Sequence, residues 1–100
     1  MIVSFRHKGL EEFFKTDHSK KINPNHFKKL RLILGVLNQL KCEDDILVFQ
    51  QWRPHKLKGF NSRGQNVEGH WSLTVSGNWR VTYFMTVSGD VVLTDYIDYH

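Results

Sequence analysis

Three stretches in the last third of the chain alternate apolar and polar residues with a period of two, and two glycine turns join them. In "WSLTV", Trp71, Leu73 and Val75 alternate with Ser72 and Thr74. "SGN" turns the chain, and in "WRVTYFM" Trp79, Val81, Tyr83 and Met85 alternate with Arg80 and Thr82. "SGD" turns it again into "VVLTDYIDY". A period of two is the mark of a half-buried strand, and short glycine-centred breaks between such runs are hairpin turns. Three strands so joined form an antiparallel meander with one apolar face that other elements must cover.

The cover comes from the first half. "IVSF" opens as a strand over residues 2–6, rich in β-branched and aromatic residues. Leu10, Phe13 and Phe14 then recur at helical spacing, with Glu11 and Glu12 placed for a first turn. "DHSKKINPN" breaks that helix, and Asn23 followed by Pro24 reads as an N-cap with proline at the first helical position. Phe27, Leu30, Ile33, Leu34, Leu37 and Leu40 make one stripe, which predicts a helix from Pro24 to Lys41 with Lys28, Lys29 and Arg31 off the stripe. After "EDD", "ILVFQQW" reads as a strand, and "FNSRGQNVEG" as a flexible, glycine-punctuated loop. The expected architecture is a single α+β domain over residues 1–100. Its order is β-α-α-β-β-β-β, with two N-terminal helices packed on one face of a mostly antiparallel sheet.

Composition narrows the function classes. At 40% hydrophobic and 13% aromatic residues the chain can bury a core, which excludes a disordered segment. No apolar run approaches the ~20 residues of a membrane span, and the first residues show no secretory apolar stretch. The lone Cys42 rules out an internal disulfide framework and fits a reducing cytoplasm. Six histidines beside that single thiol show no zinc-ligand spacing, and no acidic cluster suits Mg²⁺, so neither metal nor cofactor is expected. Charge is uneven: nine basic residues face three acidic ones up to Cys42, and five face one between Arg53 and Arg80. Two positive regions point to a polyanionic partner, or else to an ordinary solvated surface.

If Val81 and Tyr83 face the helices, Arg80 and Thr82 face the other side. On the last strand Val91, Leu93 and Ile97 form the natural core set, broken by Asp95, which puts Tyr96, Asp98 and His100 on the open face. "RPHKLKG" brings Arg53, His55, Lys56 and Lys58 to the end of the preceding strand. Arg, Lys, His, Asp and Tyr on one concave face are what acid–base cleavage of RNA requires. The substrate carries its own nucleophile, the 2′-hydroxyl. The protein must supply a base, an acid and fixed positive charge around the phosphate. Histidine, with an ordinary pKa of ~6.5, serves as either base or acid near neutrality. Taken singly, each residue also fits a plain role: His55 as a surface turn, the lysines as solvated charges, Arg80 as an ion-pair partner of Asp95 or Asp98. His7, His18, His26 and His70 have no partner at motif spacing and receive no role.

"HKLKG", then "GHWSLTVSGNWRVTY", "GD" and the final "DYH" resemble the HigB toxins of bacterial toxin–antitoxin modules, a branch of the RelE/ParE superfamily. The resemblance extends over nearly the whole chain, including "SFRHKGLEEFF". It implies a RelE-like fold and ribosome-dependent endoribonuclease activity on mRNA in the decoding site, in the bacterial cytoplasm. It also implies a HigA-type antitoxin with a helix-turn-helix domain, through which alone the complex would bind operator DNA. By the same resemblance His55, Asp98, Tyr99 and His100 match catalytic positions, while Lys58 and Arg80, with Arg53 and Lys56 beside them, fall where cations approach the phosphate. Lys20, Lys21, Lys28, Lys29 and Arg31 are candidates for docking on ribosomal RNA. A ParE-type poison of DNA gyrase and a noncatalytic RNA-binding module are the alternative readings.

Overall fold

A computed structural model describes residues 1–99 of the chain. The elements are β1 (Ile2–Phe5), α1 (Lys8–Thr16), α2 (Phe27–Gln39), β2 (His55–Lys56), β3 (Trp71–Ser76), β4 (Trp79–Met85) and β5 (Val91–Asp98), in the expected order. They build one five-stranded sheet in the order β1-β5-β4-β3-β2. All neighbours are antiparallel except β1 and β5. No helix among the described residues is long and apolar enough to cross a membrane.

Apart from Phe14, which is left exposed, the helical stripes do what their spacing predicts. Leu10 and Phe13 of α1 and Leu30, Ile33, Leu34 and Leu37 of α2 are buried in one core with Leu73, Val75, Val81, Tyr83 and Leu93 of the sheet. The Nδ1 atom of His7 accepts the Leu10 N–H at 3.1 Å and caps α1. Asn23 accepts the Asn25 N–H at 3.0 Å. Pro24–His26 form a single 3-10 turn, so the α-helix proper begins at Phe27 rather than at the proline.

The strand expected in "ILVFQQW" is absent; Glu43–Val48 and Gln50–Trp52 are 3-10 turns. The reason lies in the spacing. Ile46, Phe49 and Trp52 stand three apart, the period of a 3-10 helix. Ile46 and Trp52 are buried, and Phe49 stacks on Trp52 with ring centroids 4.7 Å apart. Val48 is left 78% exposed. The strand in this region is the two-residue β2, whose His55 pairs with Ser72 and Lys56 with Trp71.

A second departure decides the layout of the site. Thr82 pairs with Asp95 and Tyr83 with Leu93, so Thr94 is an extra residue on β5, a bulge. Strict alternation would have sent Tyr96 and Asp98 to the open face. The inserted residue shifts the phase instead. Tyr96 then lies opposite the core residue Val81 and is itself buried, while Asp98 lies opposite Trp79 on the helix side. Asp95, an acid at an apparent core position, faces outward.

Candidate active site

The open face is read most directly from cross-strand pairs, because residues directly opposite one another share a face. One row runs His55–Ser72–Thr82–Asp95 across β2, β3, β4 and β5, and the next runs Thr74–Arg80–Ile97. His55 is exposed at the sheet edge. It is three strand spacings, about 14 Å along the sheet surface, from Asp95. Tyr99 lies beyond the end of β5 and lines the same open side as Asp95. Its N–H donates to the Asn78 carbonyl at 2.9 Å, tying the tail to the β3–β4 turn.

The predicted residues divide between faces. His55, Arg80 and Tyr99 are on the open side. The Arg80 guanidinium is folded back, donating to the carbonyls of Gly77 at 2.6 Å and Trp79 at 3.1 Å. Arg53, with backbone in the left-handed region (φ 49°), and Lys58 flank β2 and are exposed. Lys56 belongs to the helix side. Its Nζ lies 3.0 Å from Glu43 and 5.7 Å from the Trp71 ring centroid, because it pairs with Trp71 across the strands. The Trp71 indole donates to the same carboxylate at 2.8 Å. That bond and Lys56 hold the Glu43 pKa below the ordinary glutamate value. His100 lies outside the described residues.

Asp98 sits at a cavity of about 420 Å³ on the helix side, with Asn23, His26, Asn78 and Trp79. Here His26, given no role from sequence, is buried. Its Nδ1 lies 2.6 Å from the Tyr96 hydroxyl, and Trp79 stacks on Tyr96 at 4.6 Å. Burial, aided by Lys29, lowers the His26 pKa, and burial raises that of Tyr96. On the open side a larger cavity of about 500 Å³ gathers Arg6, His7, Arg63, His70, Asp95 and Tyr99. Burial lowers the pKa of both His7 and His70, so these rings favour their neutral form near pH 7. None of His7, His26, His70 or Arg63 was found from sequence. The single available signal was Asp95, a carboxylate where alternation called for an apolar side chain.

Of the proposed docking cations, Lys20, Lys21, Lys28 and Arg31 are exposed and Lys29 is half-buried. Arg31 pairs with Asp17 at 3.3 Å. These residues lie on α2 and on the segment before it, so they belong to the helical layer rather than to the open sheet face.

A five-stranded, mostly antiparallel sheet with two helices on one face and a cationic open face is compatible with the RelE-like class of toxins. The family model described as "RelE-like toxin of type II toxin-antitoxin system HigB" matches residues 3–100. The chain is also 34% identical, over 100 residues, to the endoribonuclease HigB of Proteus vulgaris, with the whole of both chains covered. The chain therefore belongs to the HigB-like toxins of type II toxin–antitoxin systems. Membership implies an antitoxin as its partner.

Proposed function

We propose that this chain is a cytoplasmic, ribosome-dependent endoribonuclease that cleaves mRNA in the decoding A site of the 70S ribosome and so inhibits translation. A HigA-type helix-turn-helix antitoxin neutralises it, and operator DNA is bound only through that complex. The observation that carries this reading is the end-to-end similarity to a protein named endoribonuclease HigB. The open sheet face bearing His55, Arg80 and Tyr99 is consistent with it.

In the mechanism the base takes the proton of the RNA 2′-hydroxyl as that oxygen attacks the adjacent phosphorus. The P–O5′ bond breaks, and the acid protonates the departing 5′-oxygen. The products are a 2′,3′-cyclic phosphate and a 5′-hydroxyl. His55 and His100 fill the two proton-transfer roles, with Asp98, on the opposite side of the sheet from His55, supporting a histidine other than His55, and Tyr99 stacking on a base of the message. The exposed Arg53 and Lys58 and the half-buried Arg80 stabilise the crowded phosphate. Lys56 contributes less, since Glu43 already holds its ammonium. Lys20, Lys21, Lys28, Lys29 and Arg31 dock on ribosomal RNA through the helical layer.

Primer extension on a reporter mRNA after induction tests this. Cuts at codon positions are expected with the parent, and a loss of about 10²–10⁴-fold in cleavage rate with His55→Ala or His100→Ala in folded protein. Intact message with altered DNA supercoiling would point instead to a gyrase poison. Ribosome binding with intact message would mark a noncatalytic module.

A further inference from the structure

The segment from Leu57 to His70 is a built arch rather than the flexible loop its glycines predict. Leu57 N–H donates to the His70 carbonyl at 2.7 Å, Val67 N–H to the Gly59 carbonyl at 2.8 Å, and Phe60 bridges Asn66. Gly59 and Gly69, at φ 66° and 78°, supply the left-handed bends at its two ends. At its tip one Asn61 side-chain oxygen accepts the N–H groups of both Arg63 and Gln65 at 2.9 Å. The arch therefore holds Arg63 in a defined place. From there the guanidinium reaches across to Asp95 on the sheet.

Arch and sheet enclose the open-side cavity of about 500 Å³, roomy enough for one nucleotide. Arg6 and Arg63 supply fixed charge to it. Asp95 is its single acidic lining residue among the described residues. Glu68, the arch's one acid, is turned to the Gly59 N–H at 2.8 Å. His70 stacks on Phe84 at 4.9 Å, and its Nδ1 is buried with no hydrogen-bond partner among the described residues. Tyr99 lines the cavity as well, giving an aromatic ring beside polar partners. The cavity joins the row that carries His55. Thr82 lines it, and Thr82 is two strand spacings, about 10 Å, from His55.

We propose that this cleft is a subsite for one nucleotide of single-stranded RNA, in which Arg63 exchanges its bond to Asp95 for the RNA phosphate. The assignment rests on the RNA-cleaving function proposed above and adds to it a substrate contact outside the catalytic set. A half-exposed ion pair is weak, and a guanidinium fork matches a phosphate in geometry and charge. Asp95 then acts as a competitor: it keeps Arg63 in place in the free protein and opposes the incoming phosphate.

Opposite effects of the two partners test this. Binding of a short fluorescein-labelled single-stranded RNA to the whole protein at low salt is followed by anisotropy, with thermal melts confirming folding. Arg63→Ala is expected to weaken binding several-fold and to reduce the salt slope by about 0.7. Asp95→Asn, which keeps an oxygen for the Tyr96 N–H, is expected to bind as tightly as the parent or more tightly. If both substitutions weaken binding alike, if Arg63→Ala changes nothing, or if the parent does not bind RNA, the subsite is overturned. Ribosome-programmed mRNA cleavage by the parent, measured alongside, judges the proposed function separately.

Discussion

Tyr96 and His26 meet at 2.6 Å although 70 residues separate them in the chain. The Tyr96 hydroxyl also accepts the Asn23 N–H at 3.3 Å, so one buried oxygen joins β5 to the segment before α2. Tyr96→Phe removes that oxygen and leaves the buried His26 Nδ1 and the part-buried Asn23 N–H without it. A loss of about 1–2 kcal/mol is expected, read as a lower urea midpoint at unchanged m-value. Protonation acts on His26 and on the two histidines of the open-side cavity. The His7, His26 and His70 pKa values are all lowered in the folded protein, with burial the leading cause. The unfolded chain therefore takes up these protons first. The stability the neutral rings provide is complete above the ordinary histidine value of ~6.5 and declines as pH falls through it. Urea midpoints on either side of that value measure the decline, and His26→Gln should reduce it. None of these roles was legible in the sequence, because each histidine's partners are set by tertiary packing and not by neighbouring positions.

At the scale of elements, one extra residue decides which side chains can meet. Thr94 has no residue paired with it in the β4–β5 register, although its hydroxyl lies 2.7 Å from that of Thr82 on the open side. Deleting Thr94 would restore strict alternation. Asp95 would stay opposite Thr82 and Tyr96 opposite Val81, so Tyr96 would keep its place in the core, its bond to His26 and its stack on Trp79. Far-UV circular dichroism and melting are expected to show a cooperative, native-like protein that has lost only the Thr82–Thr94 hydroxyl contact; a protein that no longer folds would contradict the register described here. The stripes of α1 and α2 and the β3–β4–β5 meander were legible because burial on one face repeats at 3.6 or 2 residues. The bulge and the 3-10 turns were not. Asp95 was the trace of the first, and the three-residue spacing of Ile46, Phe49 and Trp52 was the trace of the second, but a short apolar run does not distinguish that period from a strand.

The whole molecule is two-sided. Helices cover one face of the sheet, and the other carries His55, Arg80, Asp95 and the arch that holds Arg63. Charge follows this division, with Lys20, Lys21, Lys28, Lys29 and Arg31 on the helical layer and Arg53, Lys58, Arg63 and Arg80 around the open face. Such a layout suits a small protein seated on one surface of a polyanionic assembly while presenting the other to a single strand. The fold order and the family were legible from motifs spread along the entire chain. That Asp98 and Tyr99 take opposite sides follows from alternation alone, but which of them faces the open side was not legible, since it depends on the bulge. The central claim is that this face cleaves RNA with the substrate's own 2′-hydroxyl. The termini of the fragments released from a ribosome-bound message report on it most directly. A 2′,3′-cyclic phosphate with a 5′-hydroxyl is the predicted pair. A 5′-phosphate with a free 3′-hydroxyl, or an uncut message, would contradict the account.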